Sequence, residues 1–134
     1  MTILTEGRHA GEFMVSEANG WRSRATGIVL ADEVLDVGQV VEKDGDGKLV
    51  AFTGETDTDG NLVAAAAGIM WAAVDATGAD VTGAVYIARD AEVNASEIFV
   101  ADDDTDGTVL AAARESLAAI GIIVRDVPAN TITA

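Results

Sequence analysis

Acidic, glycine-bearing loops recur along this chain at 44–47, 54–61, 75–80 and 102–107, and they leave little room between them for helices. Asp-Gly steps supply the left-handed backbone positions that tight turns need, so each loop is a point where the chain can reverse. The segments between the loops are mostly short and apolar, which is strand patterning. "GIVLA" (27–31) reads as a strand. "EVLDVGQVVEK" (33–43) alternates around Gly38, and "DGDG" (44–47) turns it back into "KLVAF" (48–52) as a hairpin. "VTGAVYIARD" (81–90) and "SEIFV" (96–100) read as further strands. These signals predict a mainly β fold.

One apolar segment is longer. "LVAAAAGIMWAAV" (62–74) carries no charge, so at least part of it is buried on both faces. Its small alanines let other backbones approach closely, which suits a strand at the centre of the body or along a subunit contact. Ile69, Trp71 and Val74 are the candidate residues of that strand. A short buried helix over Leu62–Ala67 is the alternative.

The stretch "DDDTDGTVLAAARE" (102–115) looks at first like a calcium loop, with Asp102, Asp104 and Asp106 at alternate positions and Gly107 at the sixth. The twelfth position, which should be a bidentate Glu, is Ala113, and the segment upstream reads as a strand rather than an entering helix. From Thr108 to Ile120, however, Val109, Ala113, Leu117 and Ile120 fall on one helical face, and Gly121 follows as a left-handed stop. The aspartates then begin a helix, where carboxylates cap free N–H groups and oppose the macrodipole.

Hydrophobic residues make up 49% of the 134, enough for one folded domain and too many for a disordered acidic tail. Net charge is −15, and its distribution divides the chain. Residues 1–24 balance three acids (Glu6, Glu12, Glu17) against three bases (Arg8, Arg22, Arg24), while residues 25–134 hold 20 acids and 5 bases. A body this acidic is repelled by nucleic acid and by anionic lipid, so neither is an expected partner. "MTILTEGRHAGEF" lacks a basic segment followed by an apolar core, and the 13 residues from Leu62 to Val74 are too few to span a bilayer. The chain is expected to be soluble. Its first 24 residues, poor in large apolar side chains, read as an N-terminal arm that is mobile or held by a partner, and residues 25–134 as a single β-rich body.

Catalytic and metal chemistry find little support. There is no cysteine, and the one histidine, His9, lies in the arm without a second base. Carboxylate pairs are too plentiful to mean anything, the six aromatic residues are few for a sugar platform, and no phosphate-binding glycine loop is present. No enzyme activity, cofactor or metal is expected.

The arm "TEGRHAGEFMVSEANGWRSR" (5–24), "GIMWAAVDAT" (68–77), "VYIARDAEVNASEIF" (85–99) and "LAAIGIIVR" (117–125) occur in fixed order over nearly the whole chain. Together they resemble the bacteriophage lambda head decoration protein D family. The chain departs from that pattern in its acidic loops and in the ending "DVPANTITA" (126–134). The resemblance implies a β-clip-like body that forms homotrimers on the outer surface of an expanded phage head, with the major capsid protein as partner. It also implies an arm that adds a strand to that protein. Arg8, His9, Glu12, Phe13, Val15, Trp21, Arg22 and Arg24 are the candidate contact residues on the arm. The residues themselves suit strand addition: open backbone groups supply affinity, and Phe13 and Trp21 supply apolar anchors. Deleting residues 1–24 is therefore expected to leave a folded trimer that no longer binds heads. The competing readings are another acidic virion or tail accessory module, and a calcium-binding module built on the Asp-Gly loops.

Overall fold

In a computed structural model of the chain, residues 9–19, 21–100 and 107–126 are described. Ten strands and one helix lie among them, a mainly β structure. In chain order the strands are β1 (Met14–Glu17), β2 (Arg24–Val29), β3 (Val34–Leu35), β4 (Val40–Lys43), β5 (Leu49–Ala51), β6 (Ala66–Met70), β7 (Val74–Asp75), β8 (Val81–Ile87) and β9 (Ala91–Asn94). Helix α1 (Thr108–Ala118) and strand β10 (Ile122–Arg125) follow.

Five strands close into a barrel in the order β2-β5-β4-β6-β8. The expected hairpin over 33–52 is its β4–β5 pair, with Val41 opposite Ala51 and Lys43 opposite Leu49. The acidic turn between them shows what the aspartates do. Asp44 Oδ1 accepts the N–H groups of Asp46 and Lys48, both at 2.9 Å. The loop at 57–61 repeats the arrangement, with Asp57 Oδ1 accepting from Asp59 at 2.9 Å and Asn61 at 3.0 Å. In both loops the first aspartate satisfies the turn's own backbone. Among the described residues there is no group of three or more His, Cys, Asp or Glu arranged to hold a metal ion.

The apolar run at 62–74 supplies β6, which runs antiparallel to both β4 and β8 inside the barrel wall. The alternative helix over Leu62–Ala67 does not form: Leu62 makes an isolated bridge to Thr56, and Ala66 already pairs with Glu42. Gly68 explains why this strand sits so close to its neighbour. A Cβ there would lie 2.0 Å from the Ile87 carbonyl oxygen, so any side chain would push β6 and β8 apart.

A second layer packs on the barrel. Strands β1, β9 and β10 form a sheet with β9 at its centre, β1 antiparallel to it and β10 parallel. Parallel strands need a crossover, and α1 lies between β9 and β10 in the chain. The helix buries Ala113 and Leu117, with Val109 and Ile120 packed against the same cluster, as its apolar stripe predicts. Its N-cap is Gly107; the aspartates at 102–106 lie outside the described residues.

"SEIFV" is not a ladder strand. Asn94 Oδ1 accepts from the N–H and hydroxyl of Ser96, which bends the chain into a turn, and only Phe99 bridges, to Gln39. Ile98 and Val100 are nonetheless buried, so the apolar pattern reported burial rather than strand pairing.

Two apolar clusters result. One fills the barrel with Val29, Leu35, Val41, Leu49, Met70 and Tyr86. The other lies between barrel, helix and outer sheet and includes Phe13, Phe52, Ile69, Ile87, Val93, Leu117 and Ile122. No described helix is long and apolar enough to cross a membrane.

Candidate functional site

The leading segment enters the described structure at His9 and meets the body at once. His9 and Glu12 close a turn, in which Glu12 N–H donates to the His9 carbonyl at 3.2 Å and His9 N–H to Glu12 Oε2 at 3.2 Å. Gly11 has φ of 70° and donates its N–H to the Trp71 carbonyl at 2.9 Å. Its missing Cβ matters, because that atom would fall 2.3 Å from the Trp71 ring. Phe13 then meets the same ring edge-on, with centroids 6.4 Å apart and planes at 72°. Phe13 has no exposed surface.

This departs from the expectation for Phe13. A partner-facing anchor would have to be exposed, whereas Phe13 belongs to the same apolar cluster as Leu117 and Ile122. The reason is β1, which adds to the edge of β9 by main-chain bonds and carries Phe13 inward with it. Val15, beside a register irregularity in that pairing, stays 47% exposed.

Between β1 and β2 the chain is clipped by a residue that sequence patterning did not single out. Ser23 is fully buried; its hydroxyl accepts from Ala18 N–H at 2.9 Å and donates to the Asp90 carbonyl at 2.7 Å. One side chain thus ties the end of β1 and the start of β2 to the β8–β9 turn. A lone serine carries no sequence signal for such a role.

Arg24 ties the segment down from outside. Its guanidinium makes two bonds to the Glu17 carboxylate, at 2.7 and 3.1 Å. It also lies 3.8 Å from the Trp71 ring centroid and 4.8 Å from that of Trp21. The Glu17 hydrogen bond raises the Arg24 pKa further above its already high value, so the cation persists. Arg22 pairs with Asp90 at 3.6 Å, and Arg89 donates to the Arg22 carbonyl at 2.6 Å.

Trp21 is different from every other large apolar side chain here. It is 75% exposed, touches Arg24 on one face, and borders a depression lined by Ala25, Thr26 and Val85. Trp and Arg are enriched among contact residues, so Trp21 displayed beside arginines is a candidate contact residue. Val15, Trp21, Arg22 and Arg24 are thus on or near the surface, His9 and Glu12 are at the segment's entry, and Arg8 lies outside the described residues.

The residues predicted for the central strand separate. Ile69 is fully buried in the barrel wall, Trp71 is the half-buried hub of the N-terminal segment, and Val74 pairs with Leu35 in the two-stranded ribbon β3–β7. The three share no single face. Chemically the region offers stacking, ion pairing and apolar contact.

A family model described as bacteriophage lambda head decoration protein D matches residues 3–122 of the chain. None of the curated proteins matches it.

Proposed function

Because the chain belongs to the bacteriophage lambda head decoration protein D family, whose role is capsid decoration, we propose that it coats the outside of an expanded phage head as a homotrimer. The family is structural and not an enzyme family. The observation that carries the reading is the match itself, which runs across both structural layers and the leading segment.

In this reading the N-terminal arm, residues 1–24, is the part of the chain that engages the major capsid protein. Within it Gly11, Phe13 and Arg24 converge on Trp71, and Ser23 clips the chain behind them. Holding residues 9–24 against the body lowers the ordering cost when the arm binds. A trimer offers three such arms, so engaging one raises the effective concentration of the others. If only the expanded lattice presents all three sites in register, binding stabilises that lattice by mass action. The net charge of −15 suits a position outside the shell, away from packaged DNA.

The test is removal of residues 1–8. The truncated chain should fold, associate like the intact protein, and fail to sediment with expanded heads. Full decoration by the truncated chain would refute the role of this segment. Removal of all 24 residues, expected from the sequence to leave the body intact, is a poorer experiment. It takes away Phe13 from the core and β1 from the outer sheet, and would confuse unfolding with lost binding.

A further inference from the structure

The chain carries eight Lys and Arg residues against 23 acids, so a cation without a carboxylate partner is unexpected. Of the seven described ones, five are ion-paired: Arg22 with Asp90, Arg24 with Glu17, Lys48 with Asp80, Arg114 with Asp126 and Arg125 with Glu92. The remaining two are Lys43 and Arg89, and both line the same groove. That groove, of about 510 Å³, runs beside segment 63–67 and is floored by small or apolar side chains, among them Ala65, Tyr86 and Ile120. Val63 on its wall is 62% exposed.

Two exposed cations flanking an apolar trough, neither ion-paired to a carboxylate although Arg89 donates to the Arg22 carbonyl at 2.6 Å, describe one half of a complementary contact. The other half must bring carboxylates around an apolar projection. The same chain displays such a feature at the β3–β7 ribbon. Val34 there is 63% exposed, lies directly opposite Asp75, and follows Asp32 and Glu33 in sequence. It is the most exposed large aliphatic side chain among the described residues.

We propose that the groove between Lys43 and Arg89 is the seat for the β3–β7 ribbon of a second copy of this chain, Val34 entering the trough and Glu33 and Asp75 meeting the two cations. The contact is head-to-tail, since groove and ribbon are different surfaces of one molecule, and such contacts build rings or filaments rather than two-fold dimers. It rests on the reading that copies of this chain associate, and it names the surfaces through which they do so. Charge complementarity of this kind chiefly sets partner choice and register. It also gives the acidic body a reason to keep two basic side chains unneutralised.

The test is sedimentation equilibrium of the full chain and of four variants, with circular dichroism to confirm folding. K43E/R89E should shift self-association to higher concentration by about tenfold or more, as should E33K/D75K. Joining the two pairs in one chain should restore association towards that of the parent, an outcome that general destabilisation cannot produce. V34S, which changes no charge, should weaken association on its own. If the parent associates and both charge-reversed variants associate equally well, the groove is not the contact, while the trimer reading stands. If the variants associate normally yet lose binding to expanded heads, the groove belongs to a shell subunit and the proposal is overturned. A parent chain that stays monomeric at all concentrations removes the trimer reading and this contact with it.

Discussion

Trp21 follows Phe13 by eight positions, and the two aromatic side chains meet opposite fates. Phe13 is sealed in a cluster shared by the barrel, the helix and the outer sheet, whereas Trp21 stands three-quarters exposed with an arginine on one face. Both connect to the same hub: Phe13 packs edge-on against Trp71, and Arg24 bridges from Trp71 to Trp21. The neighbouring polypeptide therefore does two jobs. Residues 9–17 anchor the chain, and the region around Trp21 is displayed. A sparse apolar composition does not by itself make a segment free: Phe13 against Trp71, the β1–β9 pairing, the Ser23 clip and the Arg24–Glu17 pair together hold this one.

Truncation of Phe13 should separate the two regions most sharply. Phe13→Ala removes a fully buried ring and should cost about 3–5 kcal/mol, seen as a large fall in the denaturant midpoint. Trp21→Ala should cost no more than about 1 kcal/mol, the worth of an exposed cation–π contact. It should nonetheless weaken binding to expanded heads. A Trp21 variant that binds heads normally would make that side chain an ornament of the surface, and a Phe13 variant of normal stability would break the comparison altogether.

The smallest expected effect is on pH dependence. Hydrogen bonds from Lys48 hold the Asp80 carboxyl below the usual range, and Arg125 and Arg114 do the same for Glu92 and Asp126. Asp75 is lowered by its bonds from Thr77. A carboxyl whose folded pKa lies below its unfolded one adds stability that is fully present above the unfolded value and vanishes as pH falls through the folded one. Lys48, raised chiefly by its hydrogen bond to Asp80, contributes the opposite way and loses its share only as pH rises past the ordinary lysine range. Asp80→Asn should thus lower Tm slightly at neutral pH. The gap to the parent should narrow as pH falls below the ordinary carboxylate range and through the lowered Asp80 value, which calorimetry across an acid series would follow.

Much of the fold is legible in local patterns. The β4–β5 hairpin follows from Asp-Gly punctuation, and α1 from the spacing of Val109, Ala113, Leu117 and Ile120. What escapes is set by long-range contact. Strand β1 exists because β9 offers an edge, and nothing in "MVSE" announces that. The segment at 96–100 has the right residue types for a strand but loses its start to the Asn94–Ser96 turn. The placing of Lys43 and Arg89 on one groove is equally invisible, since Lys43 ends β4 and Arg89 lies in the turn between β8 and β9, and only the barrel brings them to the same groove. Trp21 and its arginines, by contrast, are adjacent in sequence and could be read as a contact surface directly.

The central claim is that this acidic, two-layered body decorates a head from outside, with its leading residues joined to the shell. Electron cryomicroscopy of expanded heads incubated with the protein tests this most directly. The account predicts three-lobed density on the outer surface at three-fold positions, with residues 1–8 continuing as a strand alongside the capsid protein. Bare heads, density on the inner surface, or bodies attached through the barrel with the leading residues pointing into solvent would contradict it.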